Sequence, residues 1–375
     1  MSLSHAVEIV PFKMEPHPGA DSLSLVKVHG YVCAVKTDAP EWRNATVAAY
    51  IPPDSIVYAD RPEFTFLLDK AKWKNGERPE VRIKAKKLRG IVSFGLLVPA
   101  PANVKLGDDV AELLEVKHYN PPEPNEGRGG FYMGGESATP PDIYTVKYDL
   151  ENFRRYHEVF VPGESVVITE KVDGSACRYV YWDGKLHCGS RNEWKREYPC
   201  YEHVTLEKLV AAGKTEEEAR EIIDRLHSKK KRNLWWELLD KYPTIEEFCR
   251  ANPGVVLHGE VFGNINCIKY SLPEGNRFAA FDLMKDGQWL DPLVARDLTY
   301  QCNKDFPWVP MLSCLSGYNF EECCALAEGP TTVSDAKPGT IREGCVIEPL
   351  VVRHDHKLGR VKLKCVSGAF LERFH

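Results

Sequence analysis

Short runs in which apolar and polar residues alternate, each closed by a turn, fill residues 8 to 111: Glu8–Pro11, Leu25–Cys33, Thr46–Ile51, Val81–Lys86 and Val92–Val98. Alternation of period two predicts strands with one buried face, and a series of such strands with little helical periodicity predicts a small β-barrel over residues 1–118. Residues 119–142 then turn rich in Pro and Gly, from Pro121 and Pro122 to Pro140 and Pro141. That composition builds no core and predicts a flexible linker. Strands dominate again over 143–375, interrupted by a helical block. There Thr215-Glu216-Glu217-Glu218 is a capping box ahead of Ala219, Ile222, Ile223 and Leu226 at helical spacing, which predicts an amphipathic helix. Leu234, Leu238 and Leu239, then Thr244 to Glu247, predict two further short helices before a strand at Gly254–His258. The expected class is α+β, a barrel followed by antiparallel sheets with a helical insert.

At 375 residues and 43% hydrophobic content the chain can build two ordinary cores. No basic leader precedes an apolar run, and no stretch approaches the roughly 20 apolar residues that span a bilayer. Its 12 cysteines form no Cys-x-x-Cys pair, so a reducing, cytoplasmic setting without zinc is expected. A net charge of -5 leaves contact with polyanions to local basic patches.

The candidate chemistry centres on Lys171, which follows the strand Ser165–Glu170 and opens the turn Val172-Asp173-Gly174. An amine there suits covalent chemistry once its pKa, ordinarily about 10.4, is lowered by burial, by the cations Lys362 and Lys364, or by a bound metal. Asp173 and Gly174 allow the backbone to turn closely around a phosphate. A hairpin at Asp183-Gly184 returns Arg191 beside the first strand, where a guanidinium suits phosphate or ribose oxygens. Glu260 ends an apolar strand, and a carboxylate placed there calls for donors such as ribose hydroxyls. Phe281 reads equally as a core aromatic or as a surface for a purine. Glu343 is the better of two carboxylates flanking Val346-Ile347 for a cation that keeps several waters. Lys362 and Lys364 share one strand face that can meet phosphate, and the turn Arg353–Gly359 folds them back beside Glu343.

In order, Glu170 to Gly174, Ser190-Arg191-Asn192, His258 to Gly263, Phe281-Asp282-Leu283, Glu343 to Ile347 and Lys362-Leu363-Lys364 resemble the motifs of the covalent nucleotidyltransferases, the ATP-dependent DNA and RNA ligases and mRNA capping enzymes. His17-Pro18-Gly19-Ala20-Asp21-Ser22-Leu23 resembles the opening of tRNA-binding-type OB domains, and Arg82 to Pro99 the matching part of the Deinococcus-type ATP-dependent RNA ligases. The resemblance covers nearly the whole chain. It implies an OB-like nucleic-acid-binding domain at 1–118, the linker at 119–142 and a nucleotidyltransferase (adenylation) domain at 143–375. Only 11 residues follow Lys364, and this expected lack of a C-terminal OB domain favours an RNA ligase. The implied reaction passes AMP from ATP to Lys171, then to a 5′-phosphate end, which a 3′-hydroxyl attacks, with Mg²⁺ or Mn²⁺ assisting. The resemblance makes Glu170 the adenine reader, Asp173 and Gly174 part of the nucleotide turn, Arg191 and Glu260 phosphate and ribose contacts, and Phe281 the adenine stack. Glu343 becomes the metal-proximal carboxylate, and Lys362 and Lys364 the phosphate clamp. Lys147-Tyr148-Asp149 matches the family only loosely, and its role stays open.

The partner implied is an RNA, or RNA-containing duplex, with 3′-hydroxyl and 5′-phosphate ends, met by a monomer. Arg82, Lys84 and Lys86 alternate with Ile83 and Ala85, with Lys87 and Arg89 adjacent, so a cationic strand face is expected to track phosphates. Lys229 to Arg232 followed by Trp235-Trp236 reads as an RNA contact or as a solvated helix end with its tryptophans packed inward, the second being the simpler. His354-Asp355-His356 reads as a polar turn. Two rival activities share these motifs: a GTP-dependent capping-type guanylyltransferase and a non-catalytic RNA-binding protein.

Overall fold

The computed structural model of the chain describes residues 6–72, 78–119, 136–143, 145, 148–202, 204–228 and 232–374. Most of the expected linker, together with Lys147 and residues 229–231, lies outside them. The N-terminal barrel is built from β1 (Glu8–Pro11), β2 (Met14–Pro16), β3 (Leu23–Val28), β4 (Tyr31–Lys36), β5 (Val47–Ile51), β6 (Ser55–Tyr58), β7 (Glu80–Arg82), β8 (Lys86–Leu88), β9 (Ile91–Ser93), β10 (Leu96–Pro99) and β11 (Lys117–His118). They pair as β1-β5-β10, β11-β6-β7, β2-β3-β4 and β8-β9 around two apolar clusters, one holding Ile9, Ile51 and Phe64, the other Val26, Trp42 and Tyr50.

Three predicted strands are each broken in two. Leu25–Cys33 is a hairpin because His29 and Gly30 both take positive φ, the geometry of a tight two-residue turn. Val92–Val98 breaks at Gly95, where φ is +87° and a Cβ would meet the Ile51 carbonyl at 2.5 Å. Val81–Lys86 splits between β7, paired with β6, and β8, paired with β9. Its alternation survives the split, with Val81, Ile83 and Ala85 buried. The His17 ring explains the His-Pro-Gly opening: it accepts from Gly19 N–H at 3.0 Å and donates to the Leu88 carbonyl at 3.2 Å, tying that loop to β8.

The second unit has two sheets. Five strands run in the order β12 (Glu151–Asn152), β24 (Leu363–Val366), β21 (Gly344–Pro349), β13 (Val166–Lys171), β20 (Met311–Leu315). All pairs are antiparallel except the short β12–β24. Six run as β16 (Trp194–Lys195), β15 (Lys185–Ser190), β14 (Gly174–Trp182), β17 (Val256–Phe262), β18 (Arg277–Lys285), β19 (Gln288–Trp289). The small hairpin β22 (His354–Asp355) and β23 (Gly359–Arg360) makes the turn between β21 and β24. Of the helices, α1 (Phe153–Tyr156) precedes β13, α2 (Leu206–Ala211), α3 (Glu216–His227), α4 (Leu234–Lys241) and α5 (Pro243–Ala251) form the insert, and α6 (Pro292–Cys302), α7 (Phe320–Ala327) and α8 (Gly368–Phe374) follow. The Thr215–Glu218 capping box opens α3 as its sequence requires. Among the described residues no helix is long and apolar enough to cross a membrane.

The barrel is fastened to this unit by polar contacts. Arg155 donates to Glu8 at 2.9 Å, Asn152 donates to the Tyr31 hydroxyl at 2.7 Å, and Lys87 pairs with Glu372 of α8. The chain passes between the two sheets in a single step, since β13 ends at Lys171 and β14 begins at Gly174. That step requires glycine. A Cβ on residue 174 would lie 2.1 Å from the Val261 carbonyl oxygen of β17, a backbone atom that cannot turn aside. Gly174→Ala is therefore expected to lower stability by about 1–3 kcal/mol, the range for an overpacked site, read from chemical denaturation of the two proteins.

Candidate active site

The two sheets face each other across a cavity of about 480 Å³. The five-stranded sheet supplies its lysines. Register sets Lys171 opposite Gly344, and Val346 opposite Lys364, so Glu343 stands beside the head of β21 where Lys171 ends β13. The Lys171 ammonium donates to Glu343 Oε1 at 2.5 Å. The six-stranded sheet supplies Glu260 from β17, Phe281 from β18 and, just past β15, Arg191. Of the sequence-derived candidates, Glu170, Lys171, Gly174, Arg191, Glu260, Phe281, Lys362 and Lys364 line this cavity. Glu343 lines a smaller one of about 210 Å³ that also touches Lys171 and Lys364, with Asp54 and Lys84 of the barrel on its other wall.

Several candidates are engaged differently from what their sequence context suggests. Asp173 is outside the lining: its carboxylate accepts from Ile268 N–H at 2.5 Å, and its own N–H donates to the Tyr270 hydroxyl at 3.0 Å. It anchors the turn to the loop after β17. The Glu170 carboxylate is 1% exposed and turned away, accepting from Thr332 N–H and hydroxyl at 2.7 and 2.6 Å and from the Thr331 hydroxyl. Arg191 pairs with Asp149 at 2.7 Å at the cavity mouth. Lys362 is 4% exposed and its ammonium meets Asp282 and Glu348, both at 2.9 Å, and the Phe281 carbonyl at 3.3 Å. Three acceptors match three N–H donors, leaving no donor for a phosphate. Arg360 completes the cluster, pairing with Asp282 at 2.5 Å and Glu348 at 2.9 Å.

Lys364 differs from Lys362. No carboxylate lies within ion-pair distance of it among the described residues, and it lines both cavities. Burial lowers its pKa; Asp149 opposes this, while the Lys171 and Arg191 charges add to it. Lys171 contradicts the expectation of a lowered pKa. Burial alone would depress it, but the Glu343 and Glu260 carboxylates outweigh burial and hold it above its ordinary value. Glu260 is itself pushed up to about 8, by burial first and by the neighbouring Glu343 and Asp173, against the pull of Lys171. Glu343 Oε2 is buried without a hydrogen-bond partner, an orphan that a cation would satisfy.

The sequence reading missed part of the lining. Tyr148, whose role it left open, packs on Phe281 with ring centroids 4.8 Å apart and donates to Asp282 at 2.9 Å, flooring the cavity beside the lysine cluster. Val346, Asn192, Lys195 and Trp235 also line it. Val346 was within reach, since it sits two residues past Gly344 on the strand that Lys364 pairs with. Trp235 was singled out only with Trp236, as an RNA contact or an inward-packed ring after the basic run, and not as part of this cavity. The barrel cations are likewise divided: Arg82 pairs with Asp54 at 2.5 Å and covers the Tyr119 ring, Lys87 is held by Glu372, Lys84 faces the smaller cavity, and Lys86 and Arg89 are exposed.

A model of the RNA ligase family matches residues 164–366, more than half of the chain, and an OB-fold domain model matches residues 7–100. No curated protein matches. Among solved structures, a mutant RNA ligase of Naegleria gruberi with ATP and Mn is 22% identical, covers 98% of each chain and superposes with a TM-score of 0.71. A second mutant of that enzyme with AMP and Mn is 23% identical over 98% of each chain, TM-score 0.71, and the enzyme with PPi is 23% identical over the same share, TM-score 0.70.

The two strand lysines are expected to separate in experiment. Lys362→Met strands two buried carboxylates beside Arg360 alone and should cost about 3–5 kcal/mol of stability. Lys364→Met removes a half-buried ammonium with no ion-pair partner among the described residues and should leave stability unchanged or raised, as urea denaturation of both variants would measure.

Proposed function

The chain belongs to the RNA ligase family, and from that premise we propose that it joins an RNA 3′-hydroxyl to a 5′-phosphate end, at nicks, through AMP carried covalently on Lys171. The observation that carries this reading is the position of Lys171: a lysine at the seam of two sheets, paired with Glu343 and opening into a cavity with Phe281 and Tyr148 at one end and Lys364 and Arg191 within reach of phosphate. The cavity volume lies in the range usual for nucleotide-sized ligands. An N-terminal barrel before the ligase domain supports assignment to the Deinococcus-type branch, with residues 1–118 presenting the strand, 119–142 linking and 143–375 transferring the nucleotide.

In the first step the Lys171 amine attacks the α-phosphorus of ATP, forming a P–N bond as the bond to the bridging oxygen breaks and pyrophosphate leaves. Lys171 must first lose a proton to solvent, and the Glu343 carboxylate paired with its ammonium opposes that loss until it is drawn away. Lys364 is the cation free to meet the charge that develops on the α-phosphate. Glu260 and Arg191 fit the ribose and phosphate oxygens, and Phe281, held by Tyr148, fits the adenine face. Because the Glu170 carboxylate is engaged by Thr331 and Thr332, its contribution to reading adenine is through backbone at the cavity wall. A 5′-phosphate oxygen next attacks the same phosphorus and the P–N bond breaks, returning the electron pair to Lys171. The 3′-hydroxyl then attacks the 5′-phosphorus and AMP departs.

Glu343, with its unpartnered buried Oε2, fits a divalent cation that keeps most of its water, as Mg²⁺ and Mn²⁺ do. Bound there, the cation would draw the carboxylate off Lys171 and offset charge on the phosphates.

Incubation with labelled ATP and Mg²⁺ should yield an alkali-stable, acid-labile AMP adduct at Lys171, as a P–N bond requires, that Lys171→Ala abolishes, and labelled GTP should yield none. Labelling by GTP alone would replace the ligase with a guanylyltransferase, and the absence of any adduct would leave a non-catalytic RNA-binding protein. Adduct formation should also rise with pH between about 6 and 9, because the reactive form is the neutral amine and a lysine ordinarily has a pKa of about 10.4. A second assay compares nicks carrying RNA or DNA on each side. Equal joining of an all-DNA nick would contradict a preference for an RNA 3′-hydroxyl.

A further inference from the structure

The tryptophan pair that follows the basic run divides its work. Both rings pack against the core of the six-stranded sheet, and Trp236 donates its indole N–H to the Lys195 carbonyl at 2.9 Å. Trp235 is half-buried and lines the catalytic cavity. Its backbone is fixed on both sides, by the Asn233 side chain at 3.3 Å and by the Tyr179 hydroxyl at 2.6 Å. Its indole Nε1 is buried with no hydrogen-bond partner. The Lys195 ammonium, itself held by Glu193 at 2.6 Å, stands 5.6 Å from the ring centroid.

Sheet order measures how far this lies from the first aromatic floor. Phe281 is on β18 and Lys195 on β16, with β17, β14 and β15 between them. Four strand spacings make roughly 19 Å along the sheet. A nucleotide with its base on Phe281 and its α-phosphorus at Lys171 has no second base to set against Trp235. The cavity nonetheless continues there, past Ser190 and Asn192.

We propose that the Trp235 end of the cavity is a second nucleoside subsite, which stacks the terminal base of the RNA strand bearing the 5′-phosphate. The proposal rests on the ligase reading above. The 5′-phosphate must reach the phosphorus held on Lys171, so its own nucleoside is the group that the continuing cavity receives. An aromatic face takes any base, which suits an enzyme that seals ends without regard to sequence.

The test resolves the steps with nicked RNA duplexes, using Trp235→Leu and Trp235→Phe, with thermal melting of each variant as the check on folding. Lysine adenylylation by ATP should stay within about twofold of wild type in both. Transfer of AMP from preformed enzyme adduct to the 5′-phosphate should fall about ten- to a hundredfold in Trp235→Leu, the range for loss of one base stack, and recover in Trp235→Phe. An abasic residue at the 5′ end should slow wild type similarly and add little to the defect of Trp235→Leu. Equal loss of adenylylation, no loss of transfer, or a defect confined to sealing of a pre-adenylylated nick would each overturn the proposal, the last by assigning Trp235 to the 3′-hydroxyl nucleoside. Failure of wild type to form any adduct is a separate outcome, seen first, that removes the ligase reading and the subsite with it.

Discussion

One ion pair governs the site: Lys171 and Glu343, 172 residues apart in sequence and 2.5 Å apart in space, at the point where the chain leaves one sheet for the other. Each partner is mostly sequestered from water, with side-chain exposure of 25% and 12%. Neither charge would be tolerated there alone, because burial disfavours an isolated ion by far more than a surface contact returns. The pair therefore ties the end of β13 to the head of β21 within the five-stranded sheet, beside the step to the other sheet. It also keeps Lys171 protonated, so the resting site is stable and unreactive. In the proposed reaction activation is a change of charge: a cation that took Glu343 from the ammonium would remove the pairing that holds the Lys171 pKa up and so favour loss of its proton to solvent.

The second buried cluster makes that economy possible. Asp282, Glu348, Arg360 and Lys362 form two anions and two cations below the aromatic floor of Tyr148, Phe281 and Trp289. Arg360 and Lys362 hold the Asp282 carboxyl well below the ordinary carboxylate range although burial works the other way. His258, against the same floor, is pushed down to about 3 by burial and stays neutral. With its charges closed internally, the cluster is a rigid support rather than a binding surface. It fixes Phe281 through the Lys362 contact to its carbonyl and through the Tyr148 ring. The two lysines of Lys362-Leu363-Lys364 thus differ although both line the cavity: the first is paired with protein anions and the second is not, among the described residues.

Much of this was legible in the sequence. Period-two alternation and turn glycines located β13, the β14–β15 hairpin and the return of β24 onto β21, so every candidate on those strands was placed near Lys171. The capping box located α3. What escaped was whatever depends on partners distant in the chain. Nothing near Lys362 indicates that Asp282, 80 residues earlier, occupies its donors, or that Thr331 and Thr332, some 161 and 162 residues later, occupy the Glu170 carboxylate. The pKa of Lys171 was misread for the same reason: its cationic neighbours were visible in a motif, while the stronger effect came from a carboxylate counted as a metal ligand. Strand breaks at His29-Gly30 and Gly95 escaped because alternation continues across a turn whose residues keep the same polarity.

The barrel face tests how far alternation alone can identify a nucleic-acid surface. Arg82, Lys84 and Lys86 do project from one side, as their buried neighbours Val81, Ile83 and Ala85 require. Yet a phosphate is attracted by net charge, not by residue type. Arg82 is offset by Asp54 and Lys87 by Glu372, so on this outer face Lys86 and Arg89 are the exposed cations without an ion-pair partner among the described residues. Lys84 belongs to another set, sharing its cavity with Lys171, Glu343 and Lys364. Counterion release counts only phosphates that a protein cation neutralises, so a cation already paired within the protein adds little unless its partner is displaced. In the proposed reaction, a chain of net charge -5 whose barrel face offers so few unpaired cations would hold the strand end in part by stacking and by the covalent nucleotide. On that reading the aromatic surfaces at both ends of the catalytic cavity supply what this face's charge does not.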